Sequence, residues 1–391
     1  MDFAKHHLYP WLSEIRRDFH MHPEKSFQEQ RTTARIREIL GALGVQQVML
    51  PAAMEVGALG LVEGGATGKT LALRADIDAL PITESNEAPY KSKNPGVMHA
   101  CGHDAHAAIM LGVAKNLMES GLRERIKGRV GFIFQPAEET LTGARKMIEA
   151  GALKALQPDC VAACHVLPGL AVGKVGLYKD ASFAAADTFH LTIHGKGAHG
   201  AKPEQSIDPI IAGVQFASGL QTIVSRNVDP IKSAVITVGR FQAGTAPNII
   251  PEKAILEGTI RSFQPEIRDL LIRRMNEMVA ALEKGFGVKT EFQIIEGVPA
   301  LQDDETVKSL LRAAAEKVVG PKNITIIDPT TGAEDFALFA KLVPGALIRL
   351  GCSDEARGIV GKAHAPDFDL DEALMPIGVE IFTETIKAYL G

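Results

Sequence analysis

The chain has 391 residues, of which 46% are hydrophobic and 23% charged, and its formal net charge is −5. This composition excludes an intrinsically disordered chain, and the charge balance gives no sign of a nucleic-acid surface or a polybasic membrane patch. At roughly 150 residues per domain, the length predicts two domains with enough core to fold without disulfide or metal staples. From the charge balance we expect no nucleic-acid partner and no membrane partner.

The cysteines and the uncharged segments bear on the cellular compartment. Four cysteines are too few for a disulfide framework, and no two form a C-x-x-C pair. No apolar signal-peptide core follows Met1. The longest segment without a formal charge, 209–225, contains five polar residues and is shorter than the ~20 apolar residues of a membrane span. These features predict a soluble, cytoplasmic protein.

In the first 180 residues, predicted helices alternate with predicted strands. Helices are placed where apolar residues recur every three or four positions, and strands where short apolar runs lie between turn residues. In chain order they are helices 8–19 and 30–43, strands 45–50, 57–62 and 70–77, a helix from Asp104 to about Leu117, strand 129–134, helix 142–150 and strand 159–166. A glycine-rich turn is predicted at 64–68. This order favours a mostly parallel sheet with helices on both faces.

The order changes to β-α-β-β-α-β after about residue 180. The predicted elements are strand 188–195, helix 207–225, strands 234–241 and 253–262, helix 266–284 and strand 290–296. This is the order of a ferredoxin-like unit. After Pro299 the alternation resumes with helix 305–319, strand 324–327, helix 335–340, strand 346–350 and helix 371–389. The fold class is therefore α/β, with a discontinuous domain at 1–180 and 297–391 and a small α+β domain inserted at 181–296.

Residues 99–106 hold three histidines, Cys101 and Asp104 directly before the predicted helix. Imidazole and thiolate are good ligands for divalent transition metals. Gly102 lets the backbone turn so that Cys101 and His103 can face one centre. The alternative is a loop that begins a helix and carries surface histidines. The density of the cluster favours a metal site.

Two adjacent glutamates, Glu138 and Glu139, follow the predicted strand 129–134. They lie at its carboxyl end, where open α/β sheets place their ligands. One carboxylate could bind a metal while the other deprotonates a water. Taken alone, such a pair is more often a solvated helix start. His165 at the end of strand 159–166 and His364 in a loop after strand 346–350 are equally ambiguous alone.

The coincidence of these residues is more informative than any one of them. Asp78, Cys101, Glu138, Glu139, His165 and His364 all fall in loops at the ends of predicted strands. In one parallel sheet those ends share an edge, so the set favours a metal-dependent hydrolytic centre. Strand alternation sends Cys160 and Cys164 to the face opposite His165, which predicts buried structural thiols.

Other chemistries are less well supported by the sequence. The segment 64–70 ends like a phosphate-binding loop, but its first glycine is one residue too close and a strand follows it. No G-x-S-x-G motif for a serine hydrolase is present. A cysteine nucleophile at Cys101, activated by a nearby histidine, remains the serious chemical alternative.

These residues, in this order, resemble the M20 family of metallopeptidases and amidohydrolases. The branch that is most similar holds aminoacylases, hippurate hydrolases and auxin-conjugate hydrolases. The matching segments are 17–24, 74–81, 99–106, 135–139, 195–203, 246–251 and 331–336. They span nearly the whole chain and are jointly specific. The resemblance implies a zinc-peptidase-like catalytic domain with an inserted ferredoxin-like domain that serves as lid and dimerisation domain.

The resemblance also implies roles for the residues of the first domain. Two divalent ions would be bound, Mn²⁺ or Zn²⁺, with Co²⁺ or Ni²⁺ as further candidates. Their ligands would be Cys101, His103, Glu139, His165 and His364. Glu138 would be the general base, and Asp78 would orient a metal ligand.

In the inserted domain, the resemblance implies residues that bind substrate. His199 would reach across a homodimer and help to bind the oxyanion, and Asn248 and Arg261 would hold the free carboxylate of the substrate. Gly332 would line the pocket with its backbone. Without the resemblance, His199 would be interpreted as an exposed loop histidine and Arg261 as a surface strand residue.

One departure separates the branches of the family. The peptidase branches carry a histidine ligand where Asp76 stands and a bridging aspartate where Cys101 stands. The chain has the amidohydrolase pattern, which predicts hydrolysis of the amide of an N-acyl amino acid. The alternatives are a metallo-exopeptidase acting on dipeptides and, from another class, a non-catalytic binding protein on the same scaffold. Glu138 and the five intact ligands argue against the binding protein.

Overall fold

The computed structural model describes residues 3–50 and 54–391, and the chain divides into two units. Residues 1–2, at the start of the segment predicted to lack a signal-peptide core, and residues 51–53 lie outside the described residues. The first unit extends to Ser182 and resumes at 302–329 and 335–391, and the second comprises 183–301 and 330–334.

The two units meet at 182/183 and 301/302, two and five residues after the predicted domain boundaries, and the segment 330–334 also groups differently. The sequence analysis placed them at 180/181 and 296/297, and it assigned 330–334 to the first domain. That segment groups with the second unit because the N–H of Ala184 lies 3.2 Å from the carbonyl oxygen of Thr330 and 2.9 Å from that of Gly332.

The helices and strands lie in the following order. The α-helices are α1 Tyr9–Met21, α2 Gln30–Ala42, α3 His103–Glu119, α4 Gly143–Glu149, α5 Ala152–Leu156, α6 Pro209–Asn227, α7 Pro265–Phe286, α8 Glu305–Val319, α9 Phe336–Leu342 and α10 Leu374–Leu390. The strands are β1 Gln46–Val48, β2 Ala58–Glu63, β3 Ala66–Asp76, β4 Lys127–Gln135, β5 Cys160–Ala171, β6 Val175–Tyr178, β7 Ala185–His194, β8 Ala198–His199, β9 Ala234–Ala243, β10 Ile249–Ile250, β11 Lys253–Ser262, β12 Lys289–Val298, β13 Ile324–Ile327 and β14 Gly345–Ser353.

The first unit is built on an eight-stranded sheet in the order β1-β2-β4-β3-β5-β14-β6-β13. Its centre is parallel, since β3 pairs in parallel with β4 and β5, and β5 in parallel with β14. The predicted α/β class is therefore confirmed. Strand β6, which the sequence analysis did not predict, joins the sheet between β14 and β13. It is four residues long with Gly176 inside it, too short for a recognisable pattern.

The core of the first unit lies between the sheet and its helices. Helix α3 is buried almost all round, because it packs between α1 and α10 as well as on the sheet. Leu12 of α1, Leu111 of α3 and Phe382 of α10 are fully buried members of this core. A helix fixed on all sides holds the position of its first residue, His103.

The second unit has a four-stranded antiparallel sheet in the order β12-β7-β11-β9. The β-α-β-β-α-β order was predicted, and this strand order is that of a ferredoxin-like fold. Phe189, Leu191 and Ile193 of β7 are fully buried and pack with residues of α6 and α7. A short two-stranded antiparallel sheet of β8 and β10, not predicted, pairs His199 with Ile249.

Two strand predictions were wrong at their ends. Strand β5 continues past His165 to Ala171, because Leu167 and Ala171 still pair with β14 despite Pro168. His165 therefore lies inside a strand and not in a loop. Strand β3 begins at Ala66, which pairs with Lys127, so the predicted turn at 64–68 is shorter.

The cysteine prediction is confirmed. Cys160, Cys164 and Cys352 are free thiols buried in the core of the first unit. Burial raises the pKa of Cys160 to about 11 and that of Cys352 to about 12, so these thiols stay protonated and unreactive.

Among the helices within 3–50 and 54–391, none combines the length and the apolar composition needed to cross a bilayer.

Candidate metal centre

Five segments of the first unit bring polar side chains to one place. They are the end of β3 with Asp78, the start of α3 with Cys101 and His103, the turn after β4 with Glu138 and Glu139, β5 with His165, and the loop of His364. The Sγ of Cys101 lies 3.5 Å from Nε2 of His165. The Nε2 of His103 is 3.8 Å from Glu138 and 3.9 Å from Glu139, and Nε2 of His364 is 3.4 Å from Glu139.

The five predicted metal ligands form two groups that share one residue. The ligand atoms of Cys101, His103 and His165 all lie within 4.8 Å of one another, and so do those of Cys101, Glu139 and His364. Two overlapping groups around one thiol fit a pair of cations that the sulfur links. Imidazole, thiolate and carboxylate are ligands that divalent transition metals accept.

Two buried atoms of these groups have no hydrogen-bond partner among the described residues. They are Nε2 of His103 and Oε1 of Glu139. Leaving buried polar atoms without partners is costly, and native structures seldom do so without a reason. A cation bound between the two groups would provide the partner for both atoms.

The electrostatics of the centre favour a bound cation. Burial alone would lower the pKa of His103, but the charge of Asp76 and the hydrogen bond to Asp78 raise it well above its usual value. The neighbouring side chains of Cys101 and Glu139 raise the pKa of His364 to about 10. Surroundings that stabilise a cationic ring also stabilise a metal ion in its place.

His165 differs from the other two histidines. Burial and the charge of Arg349 lower its pKa well below the usual value, so the ring is neutral. Its Nδ1 donates to the carbonyl oxygen of Val166 at 2.8 Å. The lone pair of Nε2 therefore points to Cys101. A neutral ring with its proton on Nδ1 is the tautomer that binds a metal through Nε2.

Backbone geometry fixes the two loops that carry Cys101 and His364. Gly102 has φ 87°, and a Cβ at this position would lie 2.6 Å from a methyl of Val166, so only glycine fits. His364 is also left-handed, with φ 64°. Its N–H donates to the carbonyl oxygen of Ala100 at 2.7 Å, which joins the two loops. Such strain in a non-glycine residue is common at functional sites.

Asp78 determines the tautomer of His103. The Nδ1 of His103 lies 3.0 Å from the carbonyl oxygen and 3.2 Å from Oδ1 of Asp78, so Nδ1 must carry the proton. The other carboxylate oxygen accepts from Ser26 Oγ at 2.7 Å and from the N–H of Glu139 at 3.0 Å. Although burial opposes it, the hydrogen bond from His103 lowers the pKa of Asp78. Because Nδ1 holds its proton, it is Nε2 of His103 that can give up a proton and offer its lone pair to a metal ion.

Comparison with known proteins identifies the family. The profile of peptidase family M20/M25/M40 matches residues 72–388. The chain belongs to this family. The N-acetylcysteine deacetylase of Bacillus subtilis is 40% identical over 374 residues, which cover 95% of each chain. An IAA-amino acid hydrolase of Arabidopsis thaliana is 34% identical over 98% of this chain and 86% of its own.

A solved structure agrees with this assignment. The Bacillus subtilis protein described as a dinuclear metal binding peptidase from the M20 family superposes with a TM-score of 0.84 at 36% identity, covering 98% of both chains. The resemblance drawn from the sequence motifs is therefore confirmed.

The first unit of this M20 protein also contains positioning residues that the sequence analysis missed. His106 accepts the N–H of Val166 at Nε2, 3.0 Å away, and donates from Nδ1 to Asp76 at 2.6 Å. Both ring nitrogens are thus used to hold the middle of β5 beside the centre. Arg74 donates to Asp76 at 2.8 Å and to Asp335 at 3.1 Å. The alternation of Arg74 and Asp76 on one strand face was the available signal.

The third histidine of the 99–106 cluster lies apart from the centre. His99 is fully buried, both of its ring nitrogens lack a partner among the described residues, and burial lowers its pKa to about 4. Its ring faces that of His20, with the centroids 6.3 Å apart. Of the three histidines in the cluster, His103 alone belongs to the shared groups around Cys101.

In the second unit of the M20 protein, two predicted substrate residues lie together. The N–H of Gly200, next to His199, donates to the carbonyl oxygen of Asn248 at 2.8 Å. His199 and Asn248 both line a surface pocket of about 810 Å³. The N–H of Ala201 donates to Nδ1 of His199 at 3.0 Å, so the neutral ring carries its proton on Nε2. Arg261 lies on β11 in register with Ala186, and Gly332 lies in the 330–334 segment.

Proposed function

We propose that the protein is a metal-dependent amidohydrolase that cleaves the amide of an N-acyl amino acid, such as an N-acetyl or N-benzoyl amino acid. The observation that carries this proposal is the pair of ligand groups sharing Cys101, with Glu138 beside them. The names of the relatives support it, since one is a deacetylase of an N-acetyl amino acid and another a hydrolase of an amino acid conjugate.

The centre would bind two divalent ions, Mn²⁺ or Zn²⁺, with Co²⁺ or Ni²⁺ as alternatives. Cys101 would link them, with His103 and His165 on one side and Glu139 and His364 on the other. The ions would polarise the amide carbonyl and make water a better nucleophile at neutral pH. The description of the Bacillus subtilis structure as a dinuclear metal binding peptidase supports two ions.

Glu138 is the general base of the proposed reaction. It is buried, and its carboxylate lies 3.8 Å from the ring of His103. It takes a proton from the water whose oxygen adds to the amide carbon. When the carbon–nitrogen bond breaks, Glu138 returns the proton to the leaving amine nitrogen. Asp78 keeps the proton of His103 on Nδ1, so Nε2 stays a ligand.

The second unit would supply the substrate contacts. Nε2–H of His199 can donate to the oxyanion, because Nδ1 already accepts a backbone N–H. Asn248 and Arg261 would hold the free carboxylate of the substrate, and the backbone of Gly332 would line the pocket. In this proposal residues 181–296 form the lid, and 1–180 with 297–391 form the catalytic domain.

A homodimer through the second unit completes the proposal. The exposed face of α6 carries no charge along 209–225, and Ile211 and Val214 on it are 55% and 52% exposed. Strand β9 lies at the edge of the antiparallel sheet. An uncharged helix face with exposed apolar residues, beside an edge strand, is suited to pairing with a second copy. The enzyme would act in the cytoplasm, where its free cysteines stay reduced.

Metal removal tests the proposed chemistry. The purified protein should contain close to two metal ions per chain and hydrolyse N-acetyl and N-benzoyl amino acids. Chelation should abolish the activity, and Mn²⁺ or Zn²⁺ should restore it. Metal content is measured by elemental analysis, and dipeptides are assayed in parallel to test the exopeptidase alternative. If the metal-free protein hydrolysed these amides in the presence of chelator, the metal-dependent mechanism would be wrong and a Cys101 nucleophile would be favoured.

Mixed dimers test the role of His199 across the dimer. Homodimers of His199→Ala and of Glu138→Gln should both have low activity. In a dimer of one subunit of each kind, one site combines an intact Glu138 with the partner's intact His199. A one-to-one mixture should therefore recover about one quarter of the wild-type sites. If His199 served its own subunit, no mixed site would be complete and no activity would return. Size-exclusion chromatography checks that both variants remain dimers.

A further inference from the structure

Glu29 is a fully buried carboxyl group directly behind the turn that carries Glu138. It is the residue before α2, and its Oε1 accepts the N–H of Ala137 at 2.8 Å. Its Oε2 is buried and has no hydrogen-bond partner among the described residues. A carboxyl group in such surroundings costs stability, so its presence suggests a task beyond folding.

The carboxyl group of Glu29 meets two strained backbone positions. Ala137 has φ 55° and Phe27 has φ 61°, both in the left-handed region that non-glycine residues rarely adopt. The N–H of Ala137 donates to Oε1 of Glu29, and the backbone of Phe27 acts to lower the pKa of the same carboxyl group. The side chain of Glu29 therefore supports the strained Ala137 directly.

The turn after β4 leaves little room for another arrangement. The N–H of Gly143 donates to the carbonyl oxygen of Ala137 at 3.1 Å. A Cβ at Gly143 would lie 1.6 Å from the carbonyl oxygen of Pro136, so the two ends of the turn touch. Glu138 and Glu139 follow Ala137 directly, and the direction of their side chains depends on the backbone of Ala137.

We propose that Glu29 is a positioning residue that holds Ala137 left-handed, so that Glu138 and Glu139 face the metal centre. This inference rests on the proposed function of Glu138 and Glu139. The loop before Glu29 also holds the segment that carries Asp78. Ser26 Oγ donates to Asp78 at 2.7 Å, and the N–H of Ala79 donates to the carbonyl oxygen of Glu24 at 2.8 Å.

The chemistry of Glu29 suggests a conservative replacement. Burial raises the pKa of Glu29 to about 8, so the carboxyl group is mostly protonated at pH 7. Glutamine has nearly the same shape, is neutral and keeps an oxygen that can accept from Ala137. Glu29→Gln should therefore preserve the support, and Glu29→Ala should remove it.

A matched control exists elsewhere in the first unit. Asp303 is partly buried, one carboxylate oxygen accepts the N–H of Leu347 at 3.0 Å, and the other oxygen is buried without a partner among the described residues. Burial raises its pKa to about 7. Asp303→Ala should lower Tm about as much as Glu29→Ala does, but it should leave kcat within about twofold of wild type.

The test compares kcat, KM, Tm and Zn²⁺ affinity for these variants. Glu29→Ala should lower kcat about 100-fold with KM changed less than about threefold, since a small displacement of a catalytic group has effects of this size. Its affinity for Zn²⁺, titrated into metal-free protein, should fall about tenfold. Glu29→Gln should recover most of both losses. If Glu29→Ala does not fold, Glu29→Asp replaces it, because its shorter side chain cannot reach Ala137.

Two outcomes would overturn the inference. One is a kcat and a Zn²⁺ affinity for Glu29→Ala no lower than those of Asp303→Ala, and the other is a Glu29→Gln variant as impaired as Glu29→Ala. Failure of the proposed function is a separate result, namely a metal-loaded wild type that hydrolyses no N-acyl amino acid. In that case the Zn²⁺ affinities of the same variants decide the role of Glu29.

Discussion

Glu138→Gln is expected to lower kcat about 1,000-fold while the protein keeps its metal. The amide has the shape of the carboxylate but cannot take a proton, and a well-placed general base contributes about 10²–10⁴-fold. Glu138 is not needed for either ligand group that shares Cys101. KM should change little, because the substrate contacts proposed for the second unit are unaffected.

The adjacent residue provides the control for this variant. Glu139→Gln changes a proposed ligand whose carboxylate lies 3.4 Å from His364. It should weaken metal binding as well as turnover, and added metal should restore part of the activity. The two variants are compared by elemental analysis and by kcat at increasing Mn²⁺. If Glu138→Gln lost metal and Glu139→Gln kept it, the roles of base and ligand would be reversed.

Much of the fold follows from local sequence patterns. Strand β7 alternates between buried and partly exposed residues, as a strand with one face on the core should. Helix α3 was found from its apolar residues and from the polar cluster before it. The end of β5 was missed, because Pro168 and Gly169 resemble a turn when the pairing with β14 is unknown. Pairing between distant segments is information that a local pattern lacks.

The candidate site also divides into residues that a local pattern reveals and residues that only contacts between distant segments reveal. Cys101, His103, Glu138 and Glu139 stand out in the sequence because they are close neighbours of unusual composition. Glu29 does not stand out, since a polar residue before a helix is ordinary. Its importance comes from Ala137, 108 residues further along the chain. Residues that act through another segment are visible only after folding brings the segments together.

The buried network behind the centre explains why the site can keep its geometry. Arg74, Asp76, Gln135 and Asp335 are fully buried and bonded to one another, and the N–H of Ala144 donates to Asp335 at 2.8 Å. The network joins the ends of β3 and β4 to the starts of α4 and α9. Buried charges that are fully paired resist displacement, because removing one partner leaves another unpaired. The rigid support precedes any contact with substrate.

Cys101→Asp is expected to keep at least about one tenth of the wild-type kcat, whereas Cys101→Ala should lose nearly all of it. In the metal-centre proposal Cys101 links the two ligand groups, and a carboxylate can take the place of a thiolate for divalent ions. An aspartate is expected at this position in the peptidase branches of the family, from which this chain departs. Alanine offers no ligand, so metal content should fall together with activity.

The nucleophile hypothesis gives a different result for the same pair. Neutral His165, 3.5 Å from Sγ, could accept the thiol proton, so the geometry alone is compatible with a thiolate attack. A carboxylate at this position could not form the thioester, and loss of a covalent nucleophile costs up to ~10⁶-fold in kcat. Both variants would then be inactive even with metal bound. The kcat and metal content of Cys101→Asp, measured in Mn²⁺ and in Zn²⁺, distinguish the ligand hypothesis from the nucleophile hypothesis. A variant that binds metal but is inactive would indicate that Cys101 is the nucleophile. An active variant would indicate that Cys101 is a metal ligand.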